Sequence, residues 1–231
     1  DGTHDHGLYL NGPYTVIVNN IFYDNNSGYD IDIKETYGSG YAGSHYVVSN
    51  NTHGQSAYAG LSSNYDSARI MLAGNNDDIV IQNNIFYPSG TVSPRYAVRN
   101  DGNAKTNIVI RDNLTYDETL INSSGSGFTV SNNLTGLDPQ FVDPATKNFH
   151  LRSTSPAINK GIQNGLAYDA DDNVRTGAPD MGAYEYIGGN ADTTAPSVPA
   201  SLKASAVSSS EIDLSWAAST DNVGVAGYYI Y

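Results

Sequence analysis

Asp30-Ile31-Asp32-Ile33-Lys34 sets two carboxylates and an ammonium on alternate residues of one short run. In an extended strand alternate side chains share a face, and Cα atoms at i and i+2 lie about 6.5–7 Å apart. Grouped in this way, Asp30 and Asp32 are candidate ligands for a hard cation such as Ca²⁺. Lys34 is a candidate for proton transfer or for neutralising an anion, and Arg69 is a second candidate for both roles. Either could serve as a base only with its pKa lowered by like charge nearby. His4-Asp5-His6 adds two imidazoles at i and i+2, able to share one ligand or to act as acid and base at the margin of the same patch. Tyr9, Arg99 and His45 are candidate substrate contacts, while His53 flanks a polar corner. The same charges also read as a solvated, salt-linked face. No Ser-His-Asp order, phosphate-binding glycine loop, Cys-x-x-Cys or His-Glu-x-x-His is present. Asp169-Ala170-Asp171-Asp172-Asn173 lacks the glycine and terminal glutamate of a calcium loop.

These residues can act together only if the backbone brings them together, and a repeat supplies the means. Val16-Ile17-Val18-Asn19-Asn20-Ile21-Phe22-Tyr23 returns as Tyr46 to His53, Val80 to Tyr87, Val109 to Tyr116 and Thr129 to Thr135. The second Asn of each copy stands at 20, 51, 84, 113 and 133. A β-branched run, a polar corner and a second apolar run repeated at this interval describe a solenoid of short strands. Between the first copies lies another column: His6 to Leu10, Tyr29 to Ile33, Ala68 to Leu72 and Tyr96 to Asn100. Its apolar positions align as Leu8, Ile31, Ile70, Val98 and then Leu10, Ile33, Leu72. If these point inward, Asp30, Asp32, Lys34, Arg69 and Tyr9 point outward on turns about 4.8 Å apart. The corner asparagines are expected to stack as a ladder that holds the register.

The fold class that follows is all-β, a parallel β-helix. The repeats resemble those of right-handed parallel β-helix proteins of the pectate-lyase-like superfamily. The closing segment is similar to the end of many secreted bacterial members, with Asp138-Pro139-Gln140-Phe141-Val142-Asp143-Pro144, then Ser155-Pro156-Ala157-Ile158, then Asp180-Met181-Gly182-Ala183-Tyr184-Glu185-Tyr186. The resemblance implies that residues 1–187 form the last turns and a cap, with earlier turns and a leader upstream of Asp1. Residues 188–195 read as a linker. Residues 196–231 resemble the first strands of a fibronectin type III domain, with Trp216 at the position of the core tryptophan. A sandwich needs about 100 residues, so this stretch is expected to be a truncated, poorly packed fragment.

Composition narrows the partners. A net charge of −13 argues against sequence-independent nucleic-acid binding, which needs a basic surface. No run reaches the roughly 18 apolar residues of a membrane span, and without cysteine there is no disulfide framework. Eighteen tyrosines provide flat platforms for sugar rings. The expectation is a secreted or cell-surface monomer whose partner is a polysaccharide, with uronate sugars as the candidate. The expected activity is that of a polysaccharide lyase acting by β-elimination through the outward patch, with Lys34, Arg69, His4 and His6 as its candidate catalytic residues. A β-helix glycoside hydrolase using the same groove is the alternative, and a non-catalytic glycan-binding or adhesive module is another.

Overall fold

The computed structural model describes residues 6–24, 28–34, 43–54, 68–87, 96–188, 195–221, 225, 227, 228 and 230. Two compact units are present, Asp1–Ile187 and Gly188–Tyr231. In the first, each coil contributes three strands. They are β1 (Leu8–Leu10), β2 (Thr15–Val18) and β3 (Ile21–Phe22), then β4 (Ile31–Lys34), β5 (Gly43–Ser49) and β6 (Thr52–His53). The third coil holds β7 (Ala68–Ala73), β8 (Asn76–Gln82) and β9 (Ile85–Phe86), and the fourth β10 (Tyr96–Asn100), β11 (Lys105–Arg111) and β12 (Leu114–Thr115). The fifth holds β13 (Thr119–Ile121), β14 (Phe128–Ser131) and β15 (Leu134–Thr135). Equivalent strands pair in parallel and build three five-stranded sheets: sheet A from β1, β4, β7, β10 and β13, sheet B from the second strands and sheet C from the third. This is a parallel β-helix, as the repeat requires.

The register is the one the sequence alignment gives. Leu8 pairs with Ile31, Ile31 with Ile70 and Ile70 with Val98, and these residues line one continuous core with Ile17, Val48, Ile81 and Ile110. A fifth member of the column, β13, pairs Val98 with Ile121.

At the corner between sheets B and C the two asparagines of each copy do different work. The second forms a ladder in which the Asn20 amide donates to Asn51 Oδ1 (3.0 Å), Asn51 to Asn84, Asn84 to Asn113 (2.9 Å) and Asn113 to Asn133. The first takes a left-handed backbone, at Asn19, Asn50, Asn83, Asp112 and Asn132, which Asn and Asp tolerate best after glycine. In the first three coils its side chain faces the C-terminal segment, which runs back across them like a strap. Asn19 donates to the Tyr168 carbonyl, Asn50 to that of Asp180 and Asn83 to that of Ile162. Buried Arg175 fastens the strap, reaching Glu185, Asn19 and the carbonyls of Gly182 and Ala183.

The antiparallel pair β16 (Phe141–Asp143) and β17 (Asn148–Leu151) covers the open flank of sheet C with Phe141, Phe149 and Leu151. The second unit holds the antiparallel strands β18 (Ala200–Ser208) and β19 (Glu211–Ala217). In it Leu202 and Ile212 lie largely exposed and Trp216 is half-buried.

Candidate functional site

From Ile31 onward the side chains of sheet A alternate as a strand demands, and the outer row reads Tyr9, Asp32, Met71, Arg99 on four successive coils. Just before it, the chain entering β1 supplies His6 and the chain entering β4 supplies Tyr29. The His6 ring lies flat on Tyr29, with centroids 5.2 Å apart and 1° between planes, and near Tyr9 at 5.9 Å. The Tyr29 backbone N–H donates to His6 Nδ1 at 3.0 Å. That bond fixes the tautomer: Nδ1 must accept, so the proton sits on Nε2, which faces Asp32 Oδ2 at 3.6 Å. Lys34 Nζ lies over the Tyr9 ring at 5.8 Å, a cation–π distance.

Asp32 is on the outer face, yet it is 5% exposed. Burial raises its pKa, and the nearby charges of His6 and Lys34 only partly offset this. Burial also raises the Tyr29 phenol, against the pull of Arg99. One surface therefore gathers a carboxylate made more basic than usual, an imidazole with its proton directed at it, two cations and two flat rings. These are the groups needed to hold an anionic sugar and move a proton on it.

Two residues expected on this face are elsewhere. Asp30 and Arg69 stand one row earlier, Asp30 just before β4 and Arg69 as the second residue of β7, and at this row the charged side chains face inward along with the Ile31 and Ile70 that follow them. Both turn inward and are 0% and 1% exposed. Asp30 Oδ2 meets His53 Nδ1 at 2.8 Å and Arg69 Nη1 at 3.5 Å. Arg69 Nε donates to Glu118 Oε1 at 3.0 Å, and Nη2 donates to the Tyr87 carbonyl. A guanidinium held between two carboxylates stays charged, so the structure corrects the expectation that Arg69 is an outward base. Asp30 is likewise corrected: its carboxylate is directed at His53 and Arg69 while that of Asp32 is directed at His6, so the two do not converge as a Ca²⁺ pair. Among the described residues no group of three His, Cys, Asp or Glu side chains could hold a metal ion.

His53, which the repeat places beside a polar corner, is a core residue. Its ring is stacked between Phe22 (5.0 Å) and Phe86 (4.7 Å), its partners in the sheet C register. Burial lowers its pKa, more than the Asp30 bond raises it, so the neutral ring donates its Nδ1 proton to Asp30. The alignment of Phe22, His53 and Phe86 was the signal that could have found it. Glu118 was missed because it precedes β13, a copy without the full motif. His45 lies on sheet B beside Tyr14 and Asp78, away from the sheet A row. His4 falls outside the described residues.

No protein-family profile matches the chain. Short stretches are similar to Chitinase Chi52 of Paenibacillus xylanexedens, 60% identical over 40 residues covering 17% of this chain and 8% of that protein. Chitinase A1 of Niallia circulans is 55% identical over 73 residues, 32% of this chain and 9% of the relative. Exoglucanase A of Cellulomonas fimi is 48% identical over 52 residues, 21% and 6% respectively. The chain thus spans less than a tenth of the length of each of these relatives. No helix among the described residues is long and apolar enough to cross a membrane.

Proposed function

We propose that this chain belongs to an extracellular carbohydrate-active protein, that the outer face of sheet A contacts the glycan, and that the reaction is β-elimination on a uronate polysaccharide. The observation that carries the proposal is the pairing of His6 Nε2 with a buried, raised Asp32 between Lys34 and Tyr9 on adjacent coils. Asp32 takes the C5 proton. The electron pair left on carbon forms the C4–C5 double bond as the C4–O bond breaks. Lys34, kept as ammonium by the adjacent carboxylate, donates a proton to the departing oxygen. Arg99 neutralises the uronate carboxylate, which makes C5–H more acidic, while His6 orients Asp32 and Tyr9 offers a ring face. The second unit is a fibronectin type III-like spacer. Stretches of 40, 73 and 52 residues shared with proteins named chitinase and exoglucanase do not specify an activity.

Hydrolysis is the second reading, favoured by one observation. Burial would raise Asp101, but bonds from the Gly74 and Asn103 amides and from Lys105 outweigh it and hold its pKa low, opposite to Asp32. Carboxyls pushed apart in this way suit acid and base roles. The test is incubation with uronate polymers, following the absorbance of the unsaturated product alongside reducing ends. Elimination is expected, with Asp32→Asn and Lys34→Ala each lowering it by about 10²–10⁴-fold. Reducing ends without that absorbance would replace elimination with hydrolysis. Binding without either product would make the face a recognition surface and end the catalytic reading.

A further inference from the structure

Sheet B carries a second array that the sheet A reading does not use. One residue before its core row, the register aligns Tyr14, His45, Asp78, Asn107 and Gly127 on five successive coils. All five have left-handed backbone, with φ of 62°, 63°, 51°, 52° and 103°. The coil geometry imposes that conformation in each turn, and it suits glycine, asparagine or aspartate. Gly127 follows the rule, since a Cβ there would lie 2.1 Å from the Lys105 carbonyl oxygen, and so do Asp78 and Asn107. His45 is of a type tolerated there, and Tyr14 is not. A bulky residue at positive φ is an outlier that something other than the backbone must select. Packing does not select Tyr14, which is 75% exposed.

The side chains form a surface ladder along the solenoid axis. Tyr14 packs on the His45 ring at 4.5 Å, His45 Nε2 faces Asp78 Oδ2 at 3.4 Å, and Asn107 Nδ2 donates to Asp78 Oδ1. Beside it runs the outward valine row that begins at Val16, itself 67% exposed. We infer that this strip is a second glycan-binding site, taking an uncharged β-linked polysaccharide strand laid along the axis. A sugar ring has an apolar face for Tyr14 and the valines, and equatorial hydroxyls for imidazole, carboxylate and amide. These groups recur once per coil, about 4.8 Å apart, which is close to one sugar ring per coil. A carboxylate in the centre of the ladder disfavours an acidic chain, so this ligand differs from the substrate assigned to sheet A.

Sedimentation of the full chain with insoluble cellulose and with chitin tests the inference. The wild type should bind at least one of them. Tyr14→Gly should weaken binding by about five- to tenfold while leaving the melting temperature unchanged or higher, because glycine relieves the left-handed backbone. Tyr9→Ala on sheet A should leave this binding unchanged. The inference is overturned if the wild type binds neither polymer, if Tyr14→Gly with His45→Gly binds as wild type, or if Tyr9→Ala removes the binding.

Discussion

Replacing Asn84 by alanine should be among the most damaging single changes in the β-helix, although it deletes no apolar group. Asn84 is fully buried at the middle of the ladder. Its Oδ1 accepts from the Asn51 backbone N–H and side-chain amide, both at 3.0 Å. Its Nδ2 donates to Val48 O, Gln82 O and Asn113 Oδ1, each at 2.9 Å. Some of these partners keep another bond: the Asn51 amide still reaches Ile17 O and Ser49 O, and Asn113 Oδ1 still accepts from the Asn84 backbone. The Asn51 backbone N–H has no replacement among the described contacts. One stranded buried donor costs about 1–3 kcal/mol, and several weakened bonds at about 0.5–1.5 kcal/mol each bring the expected loss to about 3–5 kcal/mol. Asn20 at the exposed end donates only to Val18 O and Asn51 Oδ1 through its amide, so Asn20→Ala should cost about 1 kcal/mol. Urea unfolding followed by far-ultraviolet circular dichroism measures both. Fluorescence would report on the wrong unit, since the single tryptophan is Trp216. Equal losses for the two variants would refute the view that buried bonding, rather than asparagine content, stabilises the corner.

Arg69→Ala strands Asp30 and Glu118 in the core and should cost about 3–5 kcal/mol; a soluble variant melting like wild type would contradict the buried network. Asp32→Asn should stabilise at neutral pH. The folded pKa of Asp32 is raised, so its ionisation opposes folding above that pKa, and the gain should vanish below the ordinary carboxylate value; melting curves across pH measure it. Asp101→Asn should behave in the opposite way, because the folded pKa of Asp101 is lowered. Its destabilisation should be complete at neutral pH and lost as pH falls through that value. Gly54→Ala places a methyl 2.3 Å from the Phe149 ring and should cost about 1–3 kcal/mol by overpacking, with Phe149→Leu in the same background recovering part of the loss in a thermal melt.

The periodic parts of the molecule were legible because periodicity is itself physical. Side chains at Leu8, Ile31, Ile70 and Val98 must share a face, so aligning them gives the register and the inner row together. The rule fails one row earlier. Asp30, just before β4, and Arg69, already within β7, face inward although the next residues, Ile31 and Ile70, do so too, and strict alternation puts in water two charges that belong to a network with His53 and Glu118. The strap was hidden for the opposite reason. Residues 152–187 carry no repeat, and their bonds to the coils run to positions 79 to 156 residues away, from that of Asn83 with Ile162 to that of Asn19 with Arg175.

The doubled asparagine ties these observations together. A single asparagine per coil would be enough for the ladder; the left-handed backbone of the other corner position favours Asn or Asp there, and the strap gives its amide a partner. In the coils the strap crosses, the first position is Asn19, Asn50 and Asn83, and each amide donates to a strap carbonyl. In the fourth coil it is Asp112, which cannot donate, and its side-chain bond is made with Asn132 of the next coil instead. The change from amide to carboxylate thus follows the change of partner. The first column reads out where the strap lies and the second holds the coils in register, so two adjacent residues of one type answer to two different constraints.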